Sequence, residues 1–237
     1  MNRKLMYRSE KRILKEMMNI SSVWSNKKWV TLGDSITWQD GQPFNDTNKI
    51  VRGYQTVMRE QLGFSEVLNM GVSGRPMANG TMNGAGTNTT GKNIDYTSFD
   101  LVTIAAGTND FKLDVPIENE EDDYDTNTFD GAYQDLIRFI LEHNPCIRIV
   151  MFTPLQRNHS MYDVHFVNKA GHILNSYVQK IKEIGAQYSI PVCDMYGNSG
   201  FTEQTLTAFT RDGLHPNERG YERMGNYGAA FLQSIGC

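Results

Sequence analysis

The chain has 237 residues, of which 39% are hydrophobic and 21% are charged, and its mean hydropathy is −0.48. This composition is ordinary for a folded globular protein and excludes disordered and fibrous classes, and no apolar run reaches the ~20 residues that span a bilayer. The formal net charge is −4, but residues 1–28 carry eight Lys or Arg and only two Glu. The remaining body is therefore acidic, which argues against nucleic acid as a partner because phosphate binding needs a basic face.

The chain begins with a basic segment that differs in character from the rest. Its apolar residues predict a helix over 2–20, and we treat residues 1–28 as an N-terminal helical arm ahead of a main domain over 29–237. Charge interrupts every apolar pair, so we do not expect the segment to act as a secretory signal. The default expectation is therefore a cytoplasmic protein, with extracellular release left open. The arm could pack on its own domain, or it could dock or oligomerise the protein.

The three cysteines show no spacing typical of metal ligands and cannot all pair with one another. Cys146 and Cys193 lie beside or inside apolar runs, which favours buried thiols. Nothing in this pattern calls for an oxidising compartment.

Short apolar runs alternate with helical patterns along the main domain. Strands are predicted at 29–32, 67–70, 101–106, 147–152 and 190–195. Helices are predicted at about 53–62, 129–143, 167–187 and 217–235. Near-continuous apolar strands separated by helices are typical of a parallel sheet that is covered on both faces. The pattern therefore predicts one doubly wound α/β domain, with ligand sites at the carboxyl ends of five strands.

Two stretches interrupt this pattern and could rim a pocket. Residues 74–93 are rich in Gly, Asn and Thr and predict a long loop, whereas residues 118–125 carry six carboxylates. The acidic rim would discourage strongly anionic substrates. A run from Gly86 to Lys92 resembles a phosphate-binding loop, but Asn93 stands where that loop needs a hydroxyl. The acidic stretch resembles the start of a calcium loop without its turn glycine or its final Glu, so we expect no designed metal site.

Residues suited to catalysis follow the first strand and precede the last helix. Gly33-Asp34-Ser35 follows the first strand directly, where a tight turn can expose the serine hydroxyl at the edge of the sheet. Asp212 and His215 are three residues apart, and Pro216 keeps His215 on the loop before the helix. In that turn a carboxylate can fix the tautomer of an imidazole that acts as general base. Each motif alone is also a common turn or cap sequence.

Possible oxyanion donors follow the second and third strands. The second strand ends in Asn69-Met70-Gly71-Val72-Ser73-Gly74, and the third ends in Gly107-Thr108-Asn109-Asp110. A glycine lets a backbone N–H approach a ligand closely, and an Asn side chain can aim a further donor. With the N–H of Ser35, they could form the three-donor cradle that an acyl-transfer oxyanion needs.

These four motifs, in this order, closely resemble the four sequence blocks of the GDSL, or SGNH, hydrolases. The resemblance runs from about residue 32 to 216, and the first block reads GDSIT where the family has GDSLS. It implies a three-layer α/β/α sandwich with a flavodoxin-like five-stranded parallel sheet. By the same resemblance, Ser35 is the nucleophile, His215 the base and Asp212 its partner. The resemblance also implies that Ser35, Gly74 and Asn109 would form the oxyanion hole and that no metal or organic cofactor would take part.

The family resemblance leaves the substrate open. Trp38, Arg75, Met77 and Phe111 lie beside the motifs and are candidate walls of the substrate pocket, although ordinary loop positions would explain them too. We expect a small-molecule or glycan ester with a short acyl group, acetyl on a carbohydrate. A lysophospholipase or thioesterase of the same family is the alternative enzyme. A non-catalytic glycan-binding module is the alternative outside enzymes, but a binding module has no need for the complete set of motifs.

Overall fold

The structure is a computed structural model that describes residues 22–44, 49–119 and 124–236. Its centre is a sheet of five parallel strands, β1 (Lys28–Gly33), β2 (Glu66–Gly71), β3 (Leu101–Ala105), β4 (Arg148–Phe152) and β7 (Val192–Cys193). Their order in the sheet is β2-β1-β3-β4-β7. A separate antiparallel hairpin follows β4 and consists of β5 (Asn158–His159) and β6 (Tyr162–Asp163).

Helices connect the strands and cover both faces of the sheet. They are α1 (Ser35–Trp38), α2 (Tyr54–Leu62), α3 (Thr87–Lys92), α4 (Thr108–Lys112), α5 (Phe129–His143), α6 (Leu174–Gln187), α7 (Met195–Asn198), α8 (Leu206–Phe209) and α9 (Glu218–Ile235). A short 3₁₀ turn, Tyr96–Ser98, precedes β3. None of the helices in the described ranges is long and apolar enough to cross a membrane.

Alternating side chains of the strands divide the core into two apolar layers. Val30, Val102 and Met151 pack in one layer with α5 and α6, whereas Trp29 and Phe152 pack in the other with α2 and α9. Strands that are apolar on both faces require this double cover. The predicted α/β/α sandwich with a five-stranded parallel sheet is therefore confirmed.

The helix predicted at 167–187 begins later than expected, at Leu174. Gly171 has a φ of +85° in a turn that pairs Asn168 with His172. The backbone N–H of Asn168 donates to the backbone oxygen of His172, and the Oδ1 of Asn168 accepts from the N–H of His172, both at 2.9 Å. This turn interrupts the apolar pattern before the helix can start. The loop predicted at 74–93 also contains a short helix, α3, which contacts α5 where the buried Asn88 donates to the backbone oxygen of Ala132 at 2.9 Å.

The segment just before β1 belongs to the packed core. Trp24 is buried, contacts Phe64 and donates its indole N–H to the backbone oxygen of Leu232 at 2.9 Å. Trp24, assigned to the arm from sequence, therefore packs in the core of the main domain. The helix predicted over 2–20 lies outside the described residues.

Of the two thiols predicted to be buried, Cys193 is buried on β7 but Cys146 is exposed in the turn before β4.

Candidate active site

The candidate site lies at the edge of the sheet where the parallel strands end. Gly33, the last residue of β1, pairs with the last residues of β2 and β3, so their following loops leave the sheet side by side. α1 starts immediately, with Asp34 as its N-cap accepting from the backbone N–H of Ile36 at 2.9 Å. A Cβ at Gly33 would lie 2.2 Å from Thr37 Oγ1, so the tight strand-to-helix turn requires glycine.

Ser35, His215 and Asp212 form a continuous chain of hydrogen bonds. Ser35 is the first residue of α1, and its Oγ lies 3.0 Å from His215 Nε2. On the other side of the ring, His215 Nδ1 lies 2.7 Å from Asp212 Oδ2. An ionised carboxylate can only accept, so Nδ1 carries the hydrogen and Nε2 accepts from the serine hydroxyl. All three residues were predicted from the sequence, and the fold brings them together although Ser35 and His215 are 180 residues apart.

The Asp212 carboxylate is held by its own turn. Its Oδ1 accepts from the backbone N–H groups of Leu214 at 3.0 Å and His215 at 2.8 Å. Partial burial raises the pKa of Asp212, but the hydrogen bonds from the His215 side chain and from these two amides outweigh it and lower the pKa to about 2. The carboxylate is therefore ionised at neutral pH and can orient the imidazole and stabilise its protonated form.

The predicted oxyanion donors lie on the loops after β1, β2 and β3. Asn109, in the first turn of α4, is 8% exposed, and its Nδ2 donates to the backbone oxygen of Arg75 at 3.0 Å. The amide's second N–H remains available. Throughout the described part of the chain, the backbone N–H groups of Ser35 and Gly74 donate to no other residue. These donors are available to an anion.

Two buried charged residues that the sequence analysis gave no role connect these loops. The Asp110 carboxylate accepts from the backbone N–H groups of Met77 at 2.8 Å and Ala78 at 3.0 Å. Arg157 is fully buried, and its Nη1 donates to the backbone oxygen and to the Oγ1 of Thr108 at 3.1 and 2.8 Å. Burial raises the pKa of Asp110 to about 6 and lowers the pKa of Arg157 to about 10. The feature of the sequence that could have pointed to Arg157 is its position after the fourth predicted strand.

The β5–β6 hairpin contacts the loop that carries Asp212. The backbone N–H of Asn158 donates to the backbone oxygen of Gly213 at 2.8 Å. His159 Nδ1 lies 2.8 Å from the backbone oxygen of Asp212, and its ring stands edge-on to the His215 ring at 6.1 Å. No local pattern in the sequence links His159 to a position 53 residues away.

An open cleft of about 390 Å³ leads to Ser35. It is lined by Ser35, Trp38, Gln39, Phe44, Ser73, Arg211, Asp212 and His215. Trp38, a predicted wall residue, is 38% exposed and lies in this cleft. Gln39, Phe44, Ser73 and Arg211 were missed, since they flank the motifs without forming one.

The other predicted wall residues lie elsewhere. Phe111 is fully buried and packs edge-on against Tyr162 and Tyr177, so its assignment to the pocket wall is wrong. Met77 is also fully buried. Arg75 does not line the cleft, and it contributes its backbone oxygen to Asn109.

The two runs that resemble cofactor loops differ in how much of them the structure describes. Residues 87–92 of the run that resembles a phosphate loop form α3, without a strand leading into it. Part of the acidic stretch, residues 120–123, lies outside the described residues. Among the described residues, no group of three or more His, Cys, Asp or Glu side chains is arranged to hold a metal ion.

Comparisons with solved structures find the same fold. A protein from Lactobacillus plantarum is 22% identical, with a TM-score of 0.74 over 89% of this chain and 98% of its own. A possible lipase from Chitinophaga pinensis is 22% identical, with a TM-score of 0.71 over 89% of this chain and 99% of its own. The aryl esterase of M. smegmatis is 17% identical, with a TM-score of 0.60 over 88% of this chain and 99% of its own. No curated protein matches the chain.

Serine hydrolases typically combine an α/β/α sandwich with a hydrogen-bonded serine, histidine and aspartate. Here these three residues lie at the carboxyl edge of the sheet. The family model described as the GDSL-like lipase/acylhydrolase family matches residues 31–223. The chain therefore belongs to this family and is a GDSL-family hydrolase.

Proposed function

We propose that the protein is a serine esterase that cleaves carboxylic esters through an acyl-enzyme on Ser35. The observation that carries the proposal is the chain from Ser35 Oγ through His215 to Asp212, with distances of 3.0 and 2.7 Å. Both are within the range over which a nucleophile and its base exchange a proton.

In the first half of the reaction, Ser35 Oγ attacks the acyl carbon while His215 Nε2 takes the hydroxyl proton. Negative charge develops on the carbonyl oxygen, where the N–H groups of Ser35 and Gly74 and the amide of Asn109 would receive it. The imidazolium that forms is stabilised by the ionised Asp212. His215 then protonates the leaving oxygen, the ester bond breaks, and the alcohol departs.

In the second half, water replaces the alcohol. His215 removes a proton from the water, which attacks the acyl carbon of the ester on Ser35. The same oxyanion donors stabilise the second tetrahedral intermediate. His215 returns its proton to Ser35 Oγ as the acid is released, and the enzyme is restored without any cofactor taking part.

We further propose that the natural substrate carries a short acyl group, acetyl, on a carbohydrate. Support comes from the cleft, which combines the indole of Trp38 with the polar side chains of Gln39 and Ser73. An aromatic face next to hydrogen-bonding side chains suits a sugar ring better than an acyl chain, which would need a continuous apolar wall.

The test is hydrolysis of p-nitrophenyl acetate, butyrate and octanoate and of acetylated xylo-oligosaccharides by the wild type and by Ser35→Ala. We expect the wild type to prefer acetate and the variant to lose activity on every ester. Arg59→Gln on α2, away from the cleft, serves as the folded control. A preference for octanoate would favour the lipase or thioesterase alternative. Equal slow rates in wild type and Ser35→Ala would favour a glycan-binding module.

A further inference from the structure

The cleft beside Ser35 contains one charged side chain that the proposed mechanism does not use. The guanidinium of Arg211 lies over the ring of Phe44 at 5.2 Å, and its Nη2 donates to Gln39 Oε1 at 3.3 Å. Phe44 and Gln39 both line the cleft, so the guanidinium lies in the cleft with them. Stacking and one hydrogen bond hold the planar group in place before any ligand arrives.

Most of the hydrogen-bonding capacity of Arg211 is unused. A guanidinium has five N–H donors, and the described residues accept only the one bond from Nη2. The neighbouring Asp212 is committed to His215, and Arg211 is not among the groups that lower the pKa of Asp212. Within the described ranges no carboxylate forms an ion pair with Arg211. A planar cation with open donors in an active-site cleft is suited to a carboxylate.

The mechanism indicates which part of the substrate would reach Arg211. His215 protonates the leaving oxygen, so the alcohol portion of an ester lies on the His215 side of Ser35. Arg211 is on the same loop, and its backbone N–H donates to the backbone oxygen of His215 at 2.9 Å. The oxyanion donors Gly74 and Asn109 come from other loops, after β2 and β3.

The two described carboxylates of the acidic segment, Glu118 and Asp125, are engaged away from this cleft. Glu118 pairs with Lys180, and Asp125 accepts from Asn119 and Asn127. Neither carboxylate lines the cleft at Ser35. The expectation that an acidic rim discourages anionic substrates therefore has no support from these two residues.

We propose that Arg211 binds a carboxylate on the alcohol portion of the substrate, so that the preferred substrates are acyl esters of hydroxy acids, including sugar acids. This inference rests on the proposed esterase function and narrows its substrate class. Arg211 is a specificity-determining residue in this scheme and takes no part in proton transfer.

The test compares two probes that differ only in charge, 4-acetoxybenzoate and the neutral 4-acetoxybenzamide. The measured quantity is the kcat/KM of the charged ester divided by that of the neutral ester. Different leaving groups affect this ratio equally in every variant, so changes between variants report on the binding of the carboxylate. We expect Arg211→Gln to lower the ratio about tenfold, since a charge-assisted hydrogen bond in a partly exposed cleft is lost.

Two further variants separate charge from geometry. Arg211→Lys keeps the charge but loses the planar fork, so the ratio should fall about threefold. Arg59→Gln removes an exposed arginine from α2 and should leave the ratio unchanged. Raising the ionic strength to about 1 M should reduce the wild-type preference, because screening weakens an exposed charge pair. If Arg211→Gln slows both esters to the same extent, Arg211 only supports Phe44 and the carboxylate site is wrong.

Binding to an inactive protein keeps this test independent of the proposed activity. Isothermal titration calorimetry of 4-acetoxybenzoate should give weaker binding to Ser35→Ala/Arg211→Gln than to Ser35→Ala. Equal binding would overturn the carboxylate site even if the esterase function stands. If wild type and Ser35→Ala hydrolyse both esters equally slowly but binding still depends on Arg211, the carboxylate site stands and the proposed activity falls.

Discussion

Asp34, the N-cap of α1, is expected to make the protein less stable as the pH rises toward neutrality. The side chain is 3% exposed, and burial raises its pKa to about 7 despite the hydrogen bond from Ile36 N–H. Asp34→Asn keeps the size of the side chain and the oxygen that accepts from Ile36. The substitution therefore removes ionisation and little else.

The size of the effect follows from the difference in pKa between the folded and unfolded chain. The folded pKa of about 7 stands against an unfolded value of 3.8. Between these values the folded protein binds more protons than the unfolded one, so the free energy of unfolding falls as pH rises. At about 1.4 kcal/mol for each pH unit, the loss is complete near pH 8 and reaches at most roughly 4 kcal/mol. Asp34→Asn should match the wild type near pH 4 and be more stable near pH 8.

The assay is urea unfolding of wild type and Asp34→Asn between about pH 4.5 and 8.5. The slope of the free energy of unfolding against urea concentration should be the same for both proteins. Glu222→Gln, an exposed substitution on α9, should follow the wild type at every pH. In Asp34→Asn the free energy of unfolding should still decline with pH, but by less than in the wild type, since burial also raises the pKa of Asp110. Parallel stability curves for wild type and Asp34→Asn would refute the reasoning, because the carboxylate would then ionise as readily in the fold as in the unfolded chain.

Three further substitutions test the parts of the site. Asn109→Ala should lower kcat by about 10²–10³ with little change in KM, because one oxyanion donor is lost, and an unchanged kcat would remove Asn109 from the mechanism. His159→Ala should lower kcat about fivefold, a positioning effect worth roughly 1 kcal/mol, by releasing the loop of Asp212, whereas His159→Asn should restore most of the rate by keeping a donor. Equal rates for both His159 variants and the wild type would exclude this role. Gly213→Ala should lower the free energy of unfolding, measured in urea, by more than about 2 kcal/mol. The φ of Gly213 is +83°, and the new Cβ would lie 1.9 Å from the backbone oxygen of Asn158. Unchanged stability would contradict this prediction.

The fold and the residues on strand ends could be predicted because their signals are local. Buried parallel strands read as continuous apolar runs, and the residue after such a run must lie at the carboxyl edge. Ser35, Gly74 and Asn109 each follow a strand in this way. His215 could be placed because Pro216 excludes it from the helix that follows.

Phe111 shows where proximity to a motif is misleading. It lies two residues after Asn109 on α4, and residues two apart on a helix point in directions about 200° apart. Because the Asn109 side chain points to the backbone oxygen of Arg75, Phe111 must point to the opposite side, where it joins the aromatic cluster of Tyr162 and Tyr177. The helical period that identified the longer helices would have excluded Phe111 from the pocket, had α4 been predicted.

The residues that the sequence analysis missed act across long sequence separations through buried polar contacts. Apart from Asp34, which caps the helix of Ser35 locally, Asp110 fixes the loop after β2 across 33 residues and Arg157 fixes the turn that carries Asn109 across 49 residues. No local pattern marks such a contact, because its two ends are chosen by the fold. Burying two carboxylates costs stability, as their raised pKa values indicate. What the protein gains is that each loop carrying a site residue is held by a short, directional hydrogen bond, whereas apolar packing alone would let these loops shift relative to Ser35.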